Sequence, residues 1–451
     1  MARIETVLSE YTDDAPVGST IASVTRRRTP VRIPAYRYTD ASWAQLEMAK
    51  VWPHAWQLAC SVDHVANHGD WFEYTVGNYS VLIVRGDDGE LRAYQNVCLH
   101  RGNELCHGSG SGMTEIRCTY HRWSWDLRGR LREVPSRRGF GVLRNDEFPL
   151  IAVLVDTWGP LVFVNLNTSA GPLHEYLAPV PADCEWIRPD DFRCVALVTV
   201  ALPANWKVCI EAFSETYHVQ GIHREMLPMC DDVNSPQEIW EHTGRLVQPY
   251  GTPSPRIRES VTDQQIWESF IEVMGGRIGI SDKAAAGTVP RVPDGQVLRD
   301  VLAARVREVA AAEGLDFAEY RTDQLMDLRQ YNIFPNITVL MFPDLFSVIR
   351  ARPGATPDEC FMDSFAFRRL PAATDAARAK PDDITMSADQ KIFGLVIDQD
   401  LTNLHYAQKG LHQPGFTHLA ISGEECRIIN LHRNLERYIG VSEMTGGEPA
   451  D

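Results

Sequence analysis

The chain has 451 residues, of which 44% are hydrophobic and 23% are charged, and its formal net charge is −16. This length allows roughly two or three domains with hydrophobic cores, and the acidic balance argues against nucleic-acid binding, which needs a basic surface. No apolar run reaches the about 18 residues of a membrane-spanning helix. We expect a cytoplasmic location, because no export signal is evident and ten cysteines are too few for a disulfide scaffold.

Residues 46–168, which follow an N-terminal segment at 1–45, are predicted to form a small antiparallel β domain. Short apolar stretches bounded by glycine-containing turns are typical of closely spaced strands. Such stretches lie at residues 70–76, 80–85 and 91–95. Two later loops of this domain carry cysteine and histidine, and we expect both loops to lie at hairpin tips.

These loops contain two short cysteine–histidine motifs. Cys98 and His100 form a C-x-H motif, and Cys118 and His121 form a C-x-x-H motif after a gap of 17 residues. In a Rieske [2Fe–2S] centre, one iron is bound by two cysteines and the other by two histidines. Because each loop supplies one ligand of each kind, the spacing favours a Rieske cluster bound by these four residues.

A structural zinc site is the alternative for the same four side chains. Zinc sites commonly pair cysteine with cysteine and histidine with histidine at short spacing, whereas both loops here mix the two types. The nearby Cys106 and His107 fit neither spacing, and we interpret Cys106 as a packed thiol.

A cluster of arginines follows the second loop. Charge runs are often only a solvated surface, but a basic surface beside a redox centre would also dock an acidic electron donor. Both interpretations stay open for these residues: Arg117, Arg122, Arg128, Arg130, Arg132, Arg137, Arg138 and Arg144.

Residues 169–451 mix helical and strand patterns, which predicts an α+β domain. The spacing of apolar side chains indicates helices at 204–219, 263–274, 296–313 and 387–411. Alternating patterns indicate antiparallel strands at 332–350 and 359–369.

A second metal site is predicted at the end of the helix at 204–219. Glu211, Glu215 and His218 recur at helical spacing and would share one face. Gly221 lies between His218 and His223 and can bend the chain back, so that His223 comes close to His218. Two histidines and one carboxylate from elsewhere form the facial triad of non-haem Fe(II) oxygenases.

The third ligand is expected from residues 387–411. Asp400 has mostly apolar neighbours at helical spacing, so its carboxylate would be costly to bury unless it is paired or bound to a metal. Asp398 has more polar neighbours and is the weaker candidate. An ordinary buried hydrogen-bonded network is the alternative to a metal site.

Glu215 is expected not to bind the metal directly. It lies one helical turn before His218 and can accept a hydrogen bond from an imidazole N–H, which is how metal-bound histidines are usually oriented. If it also contacts a cluster histidine, Glu215 would connect the two metal centres.

Together these motifs resemble the large (α) terminal-oxygenase subunits of the Rieske non-haem iron oxygenases, the aromatic-ring-hydroxylating family. Two positions depart from the family pattern. Ala212 stands where the family commonly has Asn, and Glu215 stands where the bridging residue is most often Asp. Glu at the bridge occurs in the family branch that acts on quaternary ammonium compounds and also in uncharacterised relatives, so it weakens the inference to arene dihydroxylation. The resemblance extends over nearly the whole chain, in segments at residues 98–123, 205–223, 333–336, 400–403 and 408–411.

The resemblance implies a Rieske [2Fe–2S] domain followed by a helix-grip catalytic domain, usually in a head-to-tail homotrimer and in some cases with a small β subunit. Electrons from NAD(P)H would arrive through a ferredoxin or a flavin reductase. The cluster of one subunit would reduce the mononuclear iron of its neighbour, with His121 reaching Glu215 and then His218 across the interface.

The resemblance also implies O2-dependent hydroxylation of an organic molecule, as mono- or dioxygenation, at Fe(II) bound by His218, His223 and Asp400. A Rieske electron-transfer protein that never binds a second iron is an alternative, and a zinc-stabilised binding module is another. Either would lack oxygenase activity.

Residues 225–330 are expected to line the substrate pocket, because ligand sites are mostly apolar. Aromatic candidates include Trp240, Trp267 and Phe270. An apolar aromatic or polycyclic substrate is the first choice. Oxidative N-demethylation or hydroxylation of a quaternary ammonium compound is the alternative, because of Glu215 and of aromatic side chains that can surround a cation.

Overall fold

The computed structural model describes residues 5–7, 29–280, 287–371, 378–387, 389–391 and 393–447. A β-rich part is followed by a part in which helices accompany a large sheet, which confirms the predicted α+β class. Within these ranges, no helix is both long enough and apolar enough to cross a membrane. The domain limits at 46–168 and 169–451 stay predictions.

The β-rich part is built on a seven-stranded antiparallel sheet. Its three predicted strands lie within one residue of their predicted limits. In spatial order the sheet contains Gln57–Ser61, Leu161–Asn165, Ala152–Trp158, Leu91–Gln95, Tyr79–Arg85, Trp71–Val76 and Ser109–Gly110. A smaller antiparallel sheet contains Leu131–Glu133, Ser124–Trp125 and Ile116–Arg117.

The second part contains a nine-stranded sheet that is antiparallel except at one edge. Its last strand, Asp382–Met386, runs parallel to Phe192–Leu202. The region predicted as strands at 332–350 falls within three consecutive strands, which begin earlier than predicted. In spatial order the sheet contains Glu5–Val7, Gln237–Ile239, Thr243–Pro249, Asp327–Ile333, Ile337–Met341, Leu345–Pro353, Cys360–Arg369, Phe192–Leu202 and Asp382–Met386.

Two of the predicted helices are present nearly as predicted, at Asp263–Met274 and Leu298–Ala312. The helix predicted at 387–411 begins later, at Leu395, directly after Gly394 with its φ of +90°. A left-handed or otherwise positive φ suits glycine and interrupts a helix. The remaining α-helices are Tyr36–Thr39, Ala41–Lys50, Leu173–Tyr176, Val180–Cys184, Trp206–Glu211, Val219–Ile222, Thr322–Met326 and Cys426–Ile439.

The helix Asp263–Met274 shows how local sequence sets an element. Thr262 accepts a hydrogen bond from the backbone N–H of Gln265, and the Gln265 side chain bonds back to the Thr262 N–H. This reciprocal arrangement satisfies two N–H groups that a helix start leaves unpaired. Ile266, Trp267 and Phe270 recur on one face and are buried, so this face packs into a core.

The seven-stranded sheet and the nine-stranded sheet share one hydrophobic core and are joined by a buried arginine. Arg350 donates to the backbone carbonyls of Leu58 and Ala59 in the first sheet, at 2.6 and 2.8 Å, and to Asp363 in the second sheet at 2.8 Å. Burial would raise the pKa of Asp363, but the guanidinium groups of Arg350 and Arg352 outweigh burial and hold this pKa below its usual range. The charged pair therefore fixes one sheet against the other.

A second buried network lies beside the helix Trp206–Glu211. The Tyr38 hydroxyl donates to Glu211 at 2.8 Å, and the His432 Nε2 atom lies 2.9 Å from the same carboxylate. On the adjacent turn, Lys207 donates to Glu47 at 2.8 Å. Burial raises the pKa of Glu211 to about 8, although the Tyr38 hydrogen bond and the charge of Lys207 oppose this shift. The network holds the helix that leads to the candidate metal site.

The raised pKa of Glu211 predicts a pH dependence of stability. The folded state favours the protonated carboxyl, so this contribution is complete below the unfolded pKa and is lost as the pH rises through about 8. Glu211→Gln keeps an acceptor for Tyr38 but cannot ionise. We expect the melting temperature of this variant, relative to wild type, to increase between about pH 5 and pH 9.

The matched control for this measurement is Glu175→Gln, which removes an exposed carboxylate on another helix. Its melting temperature should follow wild type across the same pH range. If the melting temperatures of Glu211→Gln and wild type change with pH in parallel, the pKa of Glu211 is the same in the folded and unfolded states and the prediction is wrong.

Candidate functional site

Two histidines and one aspartate from distant segments converge at a buried point. His223 Nε2 lies 2.9 Å from Asp400 Oδ1, and His218 Nε2 lies 3.6 Å from the same oxygen. His223 and Asp400 are 1% and 3% exposed. One donor atom from each of the three side chains lies within 4.8 Å of the other two, which is close enough for one metal ion.

The chain before these histidines is not one continuous helix, so the prediction of a helix at 204–219 is wrong there. The helix ends at Glu211, and the Ser214 hydroxyl donates to the Ile210 carbonyl at 2.7 Å. Such side-chain bonds compete with the helical backbone pattern. Glu211 therefore faces Tyr38 and His432, and it does not share a helical face with Glu215 and His218 as predicted.

Glu215 holds His218 through two contacts within one turn. Its carboxylate accepts from the backbone N–H of His218 at 3.0 Å and lies 2.5 Å from the imidazole Nδ1. Burial would lower the pKa of His218, but the hydrogen bond and charge of Glu215 outweigh it and raise this pKa. Because Nδ1 carries the proton shared with Glu215, Nε2 is left to face Asp400.

Asp400, and not Asp398, lies against the histidines. Both are on the helix Leu395–Leu411, but they point to different sides of it. The Asp398 carboxylate accepts from the Phe393 N–H at 3.3 Å and lines a groove on the outer surface of the helix. Asp400, which the sequence favoured, therefore lies at the histidines, and Asp398 lies away from them.

The two cysteine–histidine loops have matching backbone conformations. In each loop the residue four positions after the cysteine has a positive φ and donates its N–H to the cysteine carbonyl: Gly102 to Cys98 at 2.9 Å, and Arg122 to Cys118 at 3.1 Å. The second loop is the tip of a hairpin, as predicted. The first loop connects two strands that are not adjacent in the sheet, so the prediction of a hairpin tip is wrong for it.

The four side chains of these loops form a pair of thiols and a pair of imidazoles. Cys98 and Cys118 are 2% and 1% exposed, and the ring centroids of His100 and His121 are 4.6 Å apart. Burial raises the pKa of Cys98, while backbone N–H groups of the loop that point at its sulfur lower it. Such N–H groups are typical partners of a metal-bound thiolate.

One buried nitrogen in these loops lacks a protein partner. His100 is stacked on Trp123, with ring centroids 5.3 Å apart, and its Nδ1 is buried without a hydrogen bond among the described residues. Buried polar atoms are rarely left unpaired. A free Nδ1 beside a second imidazole and two thiols fits an iron–sulfur cluster with mixed ligands.

The nearby Cys106 is confirmed as a packed thiol. It lies in the hydrophobic core of the β-rich part, and burial raises its pKa to about 12. His107 is exposed and faces Glu104.

The arginines that follow the second loop are partly neutralised. Four of them form ion pairs with nearby carboxylates, and exposed ion pairs add little to stability but cancel local charge. These four are Arg117, Arg128, Arg130 and Arg144. The docking interpretation of this surface stays a prediction.

The sequence reasoning missed one residue at the metal site. Gln399 Oε1 lies 2.7 Å from His223 Nδ1. No spacing rule pointed to it, because Gln399 and Asp400 are adjacent and adjacent positions on a helix face different directions. Its contact depends on where the helix Leu395–Leu411 packs.

Comparison with protein families assigns both parts of the chain. Residues 189–441 match the ring hydroxylating alpha subunit (catalytic domain) family, and residues 55–150 match the Rieske [2Fe–2S] domain family. The four cluster candidates lie in the second match and the three metal-site residues lie in the first.

Individual relatives match over part of their length. The carnitine monooxygenase oxygenase subunit of Escherichia coli K12 is 30% identical over 227 residues, which are 49% of this chain and 59% of the relative. The benzene 1,2-dioxygenase subunit alpha of Pseudomonas putida is 29% identical over 193 residues, 42% of this chain and 43% of the relative. The chain thus spans about half the length of the curated relatives it matches.

Solved structures share the fold over nearly the full chain. A quaternary ammonium Rieske monooxygenase in complex with L-carnitine has a TM-score of 0.61 and 16% identity, over 91% of this chain and 96% of its own. Naphthalene 1,2-dioxygenase with bound indole has a TM-score of 0.64 and 16% identity, over 95% of both chains. With more than half of its residues in one family match and a Rieske domain before it, the chain belongs to the Rieske oxygenase alpha subunits.

Proposed function

We propose that this protein is the terminal oxygenase of a Rieske non-haem iron system, with Fe(II) bound by His218, His223 and Asp400. The observation that carries the proposal is the approach of two imidazole Nε2 atoms to one buried carboxylate oxygen, at 3.6 and 2.9 Å. Two histidines and one carboxylate suit ferrous iron and leave positions open for O2 and substrate. Among the described residues, a fourth protein ligand does not join this group.

The cluster is proposed to be bound by Cys98 and Cys118 on one iron and by His100 and His121 on the other. The paired thiols, the paired imidazoles and the unpartnered His100 Nδ1 support this assignment. When bound, the cluster supplies single electrons and the mononuclear iron activates O2. The chain's own part is to bury the thiolates and hold the imidazole rings in place.

Glu215 is proposed to link the two centres between subunits. Its carboxylate holds the Nδ1 proton of His218, and its side chain remains 10% exposed. Within one chain, and among the residues described, no hydrogen bond joins His121 to Glu215. We therefore infer that the partly exposed His121 of a second copy reaches this carboxylate in a head-to-tail homotrimer.

The external electron donor is proposed to be a ferredoxin or a flavin reductase that draws on NAD(P)H. The donor would contact the surface near the cluster loops, where Arg101 lies over the exposed ring of Tyr120. A small β subunit is compatible with this arrangement but nothing in the chain requires one.

A quaternary ammonium compound is the proposed substrate class. Relatives named for carnitine and glycine betaine support it, and so does Glu215 at a position where Asp is more common. The apolar cluster that contains Val219 and Met226, each close in sequence to a metal-site histidine, also contains the buried rings of Trp267 and Phe270. Aromatic faces attract quaternary ammonium groups. For these reasons we propose this class before the aromatic substrates that were the first choice from the sequence.

Oxygenation of an apolar aromatic compound is the second candidate. It is supported by the benzene and biphenyl dioxygenase alpha subunits among the relatives, at 29% and 28% identity, and by the same apolar cluster. Trp240, also expected in the pocket, lies outside this cluster and packs beside Arg245.

The metal assignment predicts a specific iron content. Reconstituted wild-type protein should hold about three iron atoms per chain, two in the cluster and one at the second site. His218→Ala should retain about two and keep the cluster spectrum, because the cluster ligands are on other loops. Iron analysis with visible absorption measures both values.

His405→Ala is the matched control, because His405 is an exposed histidine on the helix that carries Asp400. It should bind as much iron as wild type. Wild-type protein that never exceeds two irons per chain would support an electron-transfer protein and contradict the oxygenase proposal.

The substrate proposal predicts the products of a single turnover. Reduced, iron-replete protein is exposed to O2 with a panel of quaternary amines, arenes, aryl carboxylates and steroids. We expect a quaternary amine either to gain oxygen or to lose a methyl group as formaldehyde, detected by mass spectrometry. His218→Ala should form neither product.

The same panel separates the two candidate functions. Oxygen gain on an arene, with every amine unchanged, would overturn the quaternary ammonium proposal and favour aromatic oxygenation. The number of oxygen atoms gained would then distinguish monooxygenation from dioxygenation.

A further inference from the structure

The buried His223 has a partner on the side away from Asp400. Its Nδ1 lies 2.7 Å from Gln399 Oε1, while its Nε2 lies 2.9 Å from Asp400 Oδ1. His223 is 1% exposed, so water does not replace either contact. Gln399 directly precedes Asp400 in the chain, so two neighbouring residues contact the two ring nitrogens of His223.

The orientation of the Gln399 amide is set by a carboxylate. Gln399 Nε2 donates to Glu225 Oε1 at 2.9 Å. An ionised carboxylate only accepts hydrogen bonds, whereas an amide has one accepting and one donating end. The donating end of Gln399 must therefore face Glu225, and its oxygen must face His223.

This order of donors determines the tautomer of His223. Since Gln399 presents an oxygen, the His223 Nδ1 must carry a hydrogen to donate to it. In the neutral imidazole the lone pair is then on Nε2, so this nitrogen can bind a metal ion and does not donate to Asp400. Nothing else in the contact with Asp400 would select this tautomer, because Asp400 could equally accept a hydrogen from Nε2.

We propose that Glu225 and Gln399 are positioning residues that keep His223 in the Nε2-binding tautomer, an inference that rests on the proposed metal site. Glu215 supports His218 with a direct carboxylate contact, whereas His223 is supported by a carboxylate acting through a neutral amide. The two metal-site histidines are thus held by different devices, and Gln399 also ties the Asp400 helix to the turn that follows His223.

The proposal is tested by metal affinity, with Co(II) as the probe because its absorption bands report binding without enzyme turnover. Gln399→Leu removes the acceptor for His223 and should weaken Co(II) binding about 10–100-fold, the usual cost of losing a partner of a metal-bound histidine. Gln220→Leu is the matched control, since its amide donates to the Tyr217 carbonyl and is not among the described hydrogen-bond partners of the His218 and His223 rings. It should bind Co(II) like wild type.

Exchanging the carboxylate and the amide between positions 225 and 399 distinguishes a positioning role from a merely structural one. Gln399→Glu keeps an acceptor for His223 but sets two carboxylates against each other, so Co(II) binding should weaken. Adding Glu225→Gln removes this repulsion and restores the donor–acceptor order, because the amide introduced at position 225 donates to the carboxylate introduced at position 399, which still accepts from His223. The double variant should recover most of the affinity that the single Gln399→Glu variant loses.

The outcomes are separable. Recovery in the double variant, with an unchanged cluster spectrum and melting temperature in every variant, supports the relay. Gln399→Leu binding as tightly as wild type, or a double variant no tighter than Gln399→Glu alone, overturns it. Wild-type protein that does not bind Co(II) beyond the cluster would instead overturn the proposed metal site.

Discussion

The candidate metal site depends on one constraint, which is a carboxylate buried against two imidazoles. Asp400 is 3% exposed, and a buried carboxylate is stable only with positive charge, hydrogen bonds or a metal beside it. Meeting this requirement brings together segments 177 residues apart in sequence. Each histidine in turn needs a partner on its other nitrogen, which Glu215 and Gln399 supply.

Such a site needs a rigid frame, and buried charged pairs provide it at two places. Arg350 and Asp363 join the two sheets, so the cluster part and the catalytic part share a fixed interface. Lys207 and Glu47 hold the helix that leads to the first histidine. Leaving one partner of such a pair unmatched costs about 3–5 kcal/mol, which favours a single arrangement of the whole.

The candidate metal site and the apolar cluster that contains Trp267 are built from different kinds of side chain. The three candidate metal-site residues contact one another and are held by Glu215 and Gln399. Related structures keep the same fold at 16% sequence identity. The apolar cluster that contains Trp267 and Phe270 is built mainly of apolar side chains that pack against one another. Because packing tolerates exchange of side chains, one fold can serve quaternary amines in one relative and arenes in another.

Local sequence alone predicted three strands of the β-rich part, the helix Asp263–Met274 and the ligand spacing of the cysteine–histidine loops, because periodicity, capping and ligand spacing act within a few residues. Resemblance to a family implied an electron path between subunits, which stays a prediction, and allowed two substrate classes. Only the tertiary structure turned Glu211 toward Tyr38 and His432, brought Asp400 to the two histidines and placed Gln399 against His223. These three outcomes depend on how distant segments pack, and packing overrides helical spacing when a side chain finds a better partner elsewhere in the fold.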